Sequence, residues 1–247
     1  MNPACDTTAM ILAAGMGTRL KALTHDKPKA LVVLCGKPLL QRCIENLAAN
    51  GFRRIVVNAH HFGEQIIDFV AHHNFDAEIL VSDERDQLMD TGGGIVKATP
   101  LFKESKAVLV HNVDIVSNTN LGEISTRFLD SKDDAWLLTQ DRESSRKLLF
   151  DTENQLIGWN NKADGNFKWV AGSFVRYQER AFSGLHLFRS NLFSHFELKP
   201  QGVIDLYLEL AKTRSIVSQT IHPDYWFDLG KPEHLQAAST FLKEQKP

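Results

Sequence analysis

Near its start the chain reads Leu12-Ala13-Ala14-Gly15-Met16-Gly17-Thr18-Arg19-Leu20, and a short loop later comes Pro28-Lys29. The apolar run Met10–Ala14 has the composition of a buried strand. It stops at a glycine-rich turn, where backbone amides are free to face an anion. Arg19 and Lys29 add two positive charges to the same loop. A strand that ends in a phosphate cradle with its own counter-charges points to a polyphosphate ligand and to an α/β fold.

Three glycine-loop patterns are close to this string. A dinucleotide fingerprint requires a third glycine where this chain has Leu20. A Walker loop requires Gly-Lys-Ser/Thr, which occurs nowhere in the chain. A plain glycine turn with a surface Arg and Lys accounts for Gly-x-Gly alone, but not for the whole string. The full pattern, G-x-G-T-R followed by P-K, resembles the signature of the sugar-1-phosphate nucleotidyltransferases. The resemblance implies that Ala13, Ala14, Gly15, Gly17 and Thr18 hold a nucleotide. It makes Arg19 and Lys29 the catalytic cations.

The chain has 247 residues, 43% hydrophobic and 23% charged, with a formal charge of -2. That length buries a sizeable core. The charge gives no electrostatic reason to expect nucleic acid or an anionic membrane as partner. No apolar run approaches the roughly 20 residues that span a bilayer. Residues 1–8 lack the basic and apolar regions of a signal peptide. Cys5, Cys35 and Cys43 are an odd set without metal-ligand spacing, and they read as reduced thiols of a cytoplasmic protein. The oligomeric state is not legible.

Short apolar runs alternate with amphipathic stretches. Strands are expected at Ala9–Ala14, Ala30–Leu34, Arg54–Asn58, Glu78–Ser82, Ala107–Asn112 and Ala135–Thr139. Helices are expected at Leu39–Asn50, Gly63–His73 and Ile95–Leu101. This alternation predicts one Rossmann-like α/β domain over residues 1–247. Its sheet is mixed, mostly parallel and doubly wound, with helices on both faces. Ligands of such sheets lie at the carboxyl ends of the strands. Further on, Lys147–Phe150 and Leu156–Trp159 read as a hairpin and Ser183–Phe188 as a strand. Val203–Lys212 and Lys231–Leu242 read as helices. Trp159–Tyr177 fits no single element.

Four further stretches carry polar chemistry. Asp90-Thr91-Gly92-Gly93-Gly94 lets backbone approach a flat ligand, or is simply a flexible turn before a helix. Val108–Asp114 is a buried strand ending in Asn112 and Asp114, facing the crevice or opening a turn. Asp228, in Trp226-Phe227-Asp228-Leu229-Gly230, is either a ligand-facing carboxylate or a helix cap. Asn58, His60 and His61 end a strand toward the crevice, and the histidines lack metal spacing.

The resemblance gives these stretches roles. It makes Thr91, Gly92, Gly93 and Asn112 nucleotide-binding, and Asp114 with Asp228 the ligands of one Mg²⁺. Lys162 and Gly184 would hold the sugar phosphate, although Lys162 lacks the family's flanking Glu and Pro. The Thr91–Gly94 string is very similar to that of short uridylyltransferases that recycle muramic acid, and so suggests a cell-wall sugar. The implied reaction is NTP plus sugar 1-phosphate giving NDP-sugar and pyrophosphate. Mannose 1-phosphate with GTP is the second choice, and a heptose phosphate or phosphocholine with CTP is conceivable. A non-catalytic nucleotide sensor and a dinucleotide-dependent oxidoreductase are weaker readings. The former has no use for an intact metal pair, and the latter meets Leu20. The resemblance also implies that no C-terminal β-helix or acyltransferase domain follows.

Overall fold

A computed structural model describes residues 6–172, 174 and 176–245 of the protein. Parallel strands β1 (Thr7–Leu12), β4 (Arg54–Ala59), β5 (Glu78–Asp83) and β6 (Ala107–Asn112) form one half of a ten-stranded sheet, in the order β6-β1-β4-β5. Between β1 and β4 lies a small ribbon of β2 (Val33–Leu34) and β3 (Lys37–Pro38). After β6 come β7 (Ile115–Ser117), β8 (Ala135–Gln140), β9 (Arg146–Phe150), β10 (Leu156–Asn161), β11 (Asn166–Trp169) and β12 (Gln178–Arg189). The last strands are β13 (Ile216–Thr220) and β14 (Trp226–Asp228). The twelve-residue β12 joins the halves. It pairs antiparallel with β6, β8 and β9, which lead on to β10 and β11. Most parallel pairs therefore lie in the first half; the second half is mainly antiparallel, apart from β13, which pairs parallel with β8.

Successive strand residues face opposite sides, so the sheet has two cores. Ala9, Ile11, Ile55 and Leu109 pack beneath helices α1 (Leu39–Ala49), α2 (Gly63–Ala71), α4 (Leu121–Asp130) and α6 (Pro232–Glu244). Met10, Val56 and Val108 pack beneath α3 (Asp90–Ala98) and α5 (Val203–Leu210). Helices thus cover both faces, as the sequence pattern predicts.

Four expectations need correction. β1 ends at Leu12, not Ala14, because the Ala13 and Ala14 amides donate to the Asn58 side chain and leave the ladder. Ala30–Leu34 is not one strand. Lys29–Leu31 forms a 3₁₀ turn after Pro28, and only Val33–Leu34 pairs, in a hairpin turned by Cys35 (φ 47°) and Gly36 (φ 80°). The helix expected from Ile95 begins at Asp90, so Gly92–Gly94 lie inside it, and Thr99–Phe102 continue as a 3₁₀ turn. Residues 159–177 include the end of β10 and the antiparallel β11. Cys35 and Cys43 are free thiols, and Cys5 lies outside the described residues. Among the described residues no helix is long and apolar enough to cross a membrane.

Burial makes two histidines acid sensors of the fold. His186 is buried with Nδ1 2.6 Å from the Tyr207 hydroxyl, and burial pushes its pKa down to about 3. Burial likewise pushes His111 down to about 4. An unfolded histidine takes its proton near pH 6.5, so each contributes stability above that pH that is lost as pH falls toward the folded value. His186→Gln is expected to flatten the fall of unfolding free energy between pH 6 and 4 by about 1.4 kcal/mol per pH unit. Denaturant titrations across this range check it, and an unchanged slope would contradict the assignment.

Candidate active site

The loop after β1 runs over the carboxyl ends of the parallel strands. Gly17 has φ 62°, and a side chain there would crowd the Lys29 Cβ and Thr24 Cγ2, each 3.0 Å away. The Thr24 hydroxyl donates to Gly17 O at 3.1 Å. Gly15, Thr18 and Arg19 are exposed on this loop, whereas Lys29 is buried. A flexible, solvated cation thus stands beside a fixed one.

Asp114 and Asp228 meet through backbone pairing. β7 starts one residue after Asp114 and pairs antiparallel with β14, placing Asp228 opposite Ile115. Leu229 N donates to Asp114 O at 2.9 Å. The Lys29 ammonium pairs with Asp114 Oδ2. Asp228 Oδ1 accepts from Gly230 N at 2.8 Å, and the helix cap is Lys231, so Asp228 does not cap α6. A Cβ on Gly230 would sit 2.5 Å from Arg19 Nη2 and 2.8 Å from Asp228 Oδ1, which brings Arg19 to the same point. Two charge pairs thus lie along this ribbon: Lys29 with Asp114, and Arg19 beside Asp228. Gly184, at φ 81°, lets β12 approach it: a Cβ there would sit 2.9 Å from Asn112 Nδ2 and 2.8 Å from Ile115 Cγ1.

Beside the glycine loop is an apolar cleft of 280 Å³ lined by Leu12, Ala14, Gly15, Leu88, Thr91 and Pro200. Gly92, Gly93 and Gly94 are buried behind it. Both the Gly92 and Gly93 amides donate to Gln201 O, at 2.9 and 3.1 Å. A Cβ on Gly93 would collide with the Lys199 carbonyl. Gly92 and Gly93 let α3 lie against the 199–202 backbone, while Asp90 and Thr91 border the cleft. Lys162 sits at the end of β10 with its ammonium 2.5 Å from Glu179 Oε2. That bond holds the Glu179 carboxyl below its ordinary range.

Two features escaped the sequence reading. Glu84 is fully buried, and burial raises its pKa. Its Oε1 accepts from Asn58 Nδ2 at 2.7 Å, and Asn58 Oδ1 accepts from Ala13 N at 2.6 Å and Ala14 N at 3.1 Å. One carboxyl thus fixes the entrance of the glycine loop. Gly94 packs on this pair, since a Cβ there would lie 2.8 Å from Glu84 Oε1. The other feature is Arg142. Its guanidinium lies 4.4 Å from the centre of the Trp226 ring, and Nη2 donates to Phe182 O at 3.0 Å. Burial lowers its pKa, opposed by the charge of Asp228. Its buried Nε has no partner among the described residues.

Removing a partner from a buried hydrogen-bonded group costs about 1–3 kcal/mol. Asn58→Ala frees two loop amides and takes the partner from Glu84 Oε1, leaving only the Met89 amide on Oε2, so it is expected to cost about that much and to weaken NTP binding. Urea titration and calorimetry with UTP check both. A loss below about 0.5 kcal/mol with unchanged binding would show the network to be idle.

Residues 8–245 match the family model described as nucleotidyl transferase. N-acetylmuramate alpha-1-phosphate uridylyltransferase of Caulobacter vibrioides is 29% identical over 96% of this chain and 97% of its own. The enzyme of the same description from Neisseria meningitidis is also 29% identical, over 93% and 96%. The crystal structure of HddC from Yersinia pseudotuberculosis complexed with GMP-PN superposes with a TM-score of 0.77 at 23% identity, covering 95% of this chain and 99% of that one. Carrying the glycine loop, both basic residues and both carboxylates on the fold these proteins share, the chain belongs to the nucleotidyl transferase family.

Proposed function

We propose that the chain transfers the uridylyl group of UTP to a sugar 1-phosphate of the N-acetylmuramate type, releasing pyrophosphate. The observation that carries this reading is the β7–β14 ribbon, which holds Asp114 paired with Lys29 and Asp228 beside Arg19 at neighbouring backbone positions. The choice of UTP and of the sugar follows the two similar uridylyltransferases.

The nucleophile is a phosphate monoester whose second pKa is about 6, so at neutral pH it is mostly dianionic and needs no general base. Its oxygen attacks the α-phosphorus of UTP. The bond to the β-phosphate breaks, and pyrophosphate leaves with the electron pair. The barrier lies in bringing two anions together and in charge growing on the leaving group. The glycine loop and Arg19 would hold the departing phosphates. Lys29, immobilised by burial and by Asp114, would sit beside the α-phosphate. The guanidinium of Arg142, stacked on Trp226 two residues before Asp228, would add positive charge beside the incoming phosphate. Lys162 would reach that phosphate only by releasing Glu179.

Asp114 and Asp228 fit Mg²⁺. Their donors are hard carboxylate oxygens, and among the described residues no group of three or more His, Cys, Asp or Glu forms a closed metal cage. Mg²⁺ is commonly bound by one or two carboxylates together with substrate phosphates and water. Bound there, the ion would supply charge neutralisation to the reacting phosphates.

The guanylyl alternative follows the chain's likeness to mannose-1-phosphate guanylyltransferases. Pyrophosphate release from UTP, GTP, CTP and dTTP against a panel of sugar 1-phosphates separates the readings. UTP with N-acetylmuramate 1-phosphate is expected to be fastest, and faster release from GTP with mannose 1-phosphate would overturn the choice. Asp114→Asn and Asp228→Asn are each expected to lower turnover by at least ~10²–10³-fold while the protein stays folded. Near-normal rates at saturating Mg²⁺ would remove the carboxylates from the mechanism.

A further inference from the structure

A second cavity, of 350 Å³, lies between the β9–β10 hairpin, β12 and the start of α5. Trp159 and Phe182 give it aromatic walls, and Arg146 and Lys168 give it positive charge. The Lys168 ammonium lies 5.5 Å from the centre of the Trp159 ring and is ion-paired with Asp205, which also lines the cavity. The Lys147 ammonium is turned to Arg142 O at 2.5 Å. Arg146 is exposed, and its guanidinium has no partner among the described residues. Its charge has neither a carboxylate nor a carbonyl partner among the described residues, unlike Lys168, paired with Asp205, and Lys147, bonded to Arg142 O.

The cavity adjoins the reaction centre. Phe182, on its wall, accepts through its carbonyl from Arg142, and Arg142 stacks on Trp226, two residues before Asp228. Segment 200–205 borders both clefts, with Pro200 lining the one beside the glycine loop and Asp205 lining this one. A substrate whose phosphate lies at the carboxylate pair can therefore extend its other end past Phe182. Aromatic walls suit the apolar face of a pyranose ring, and a free guanidinium suits a carboxylate, which it grips through two parallel hydrogen bonds.

We propose that this cavity receives the sugar of the sugar phosphate and that Arg146 selects a sugar carrying a carboxylate over its uncharged counterpart. This rests on the transferase reading above. The test compares N-acetylmuramate 1-phosphate with N-acetylglucosamine 1-phosphate, which differ by a carboxylate-bearing ether, in the wild type and in Arg146→Gln and Arg146→Lys. The wild type is expected to prefer the acidic sugar by about tenfold or more in kcat/KM, the size of one charge-assisted hydrogen bond. Arg146→Gln brings that ratio near one. Arg146→Lys keeps much of it, and added salt lowers it in the wild type. Turnover of both sugars with no preference, or a preference unchanged in Arg146→Gln, overturns the assignment of Arg146 and leaves the transferase reading standing. Pyrophosphate release with neither sugar overturns both.

Discussion

The antiparallel pairing of Ile115–Ser117 with Trp226–Asp228 is the constraint on which the centre depends. Asp114 and Asp228, far apart in the chain, lie at neighbouring positions because their backbones are in register, and the bond from Leu229 N to Asp114 O locks that register. A slip of one residue would turn Asp228 to the other side of its strand. Everything else is arranged around this ribbon. Lys29 is held by Asp114, Arg19 lies over Gly230, and Arg142 stacks on the Trp226 that opens β14.

The charge balance of the centre follows from the same arrangement. Arg19, Lys29 and Arg142 face Asp114 and Asp228, so the substrate-free site carries a small positive excess. Substrate phosphates bring far more negative charge than that excess offsets. On the proposed reading, two roles would be joined here: cations facing developing negative charge, and oxygen donors suited to a divalent ion. The site is stiff where β7 meets β14 and more open at the exposed Arg19 loop. That contrast suits a fixed attack geometry beside a leaving group that must depart.

Much of this was legible in the sequence. The turn after β1 was legible in the string from Gly15 to Arg19, because two glycines that end an apolar run break the strand there. Asp114 and Asp228 were legible as strand-end carboxylates, and the helices from their 3.6-residue period. Glu84 was not, because in Ser82-Asp83-Glu84-Arg85 it reads as one of a solvated charge run. Only the fold shows that its neighbours Asp83 and Arg85 pair outside while it turns inward to Asn58. Arg142 was missed for a similar reason, since its stacking partner Trp226 is distant in sequence. The glycine run was legible as a site of close approach, but the approaching group at Gly92 and Gly93 is the chain's own 199–202 backbone. Composition reports that a neighbour must be near and does not say whether it is ligand or protein.

The most direct measurement is anomalous scattering from crystals soaked with Mn²⁺ and a non-hydrolysable UTP analogue. The account predicts one metal peak, about 2.0–2.3 Å from a carboxylate oxygen of Asp114 and from one of Asp228, with the α-phosphate beside it. A metal held by only one of these carboxylates, or bound elsewhere on the fold, would contradict the claim that the β7–β14 ribbon builds the reaction centre.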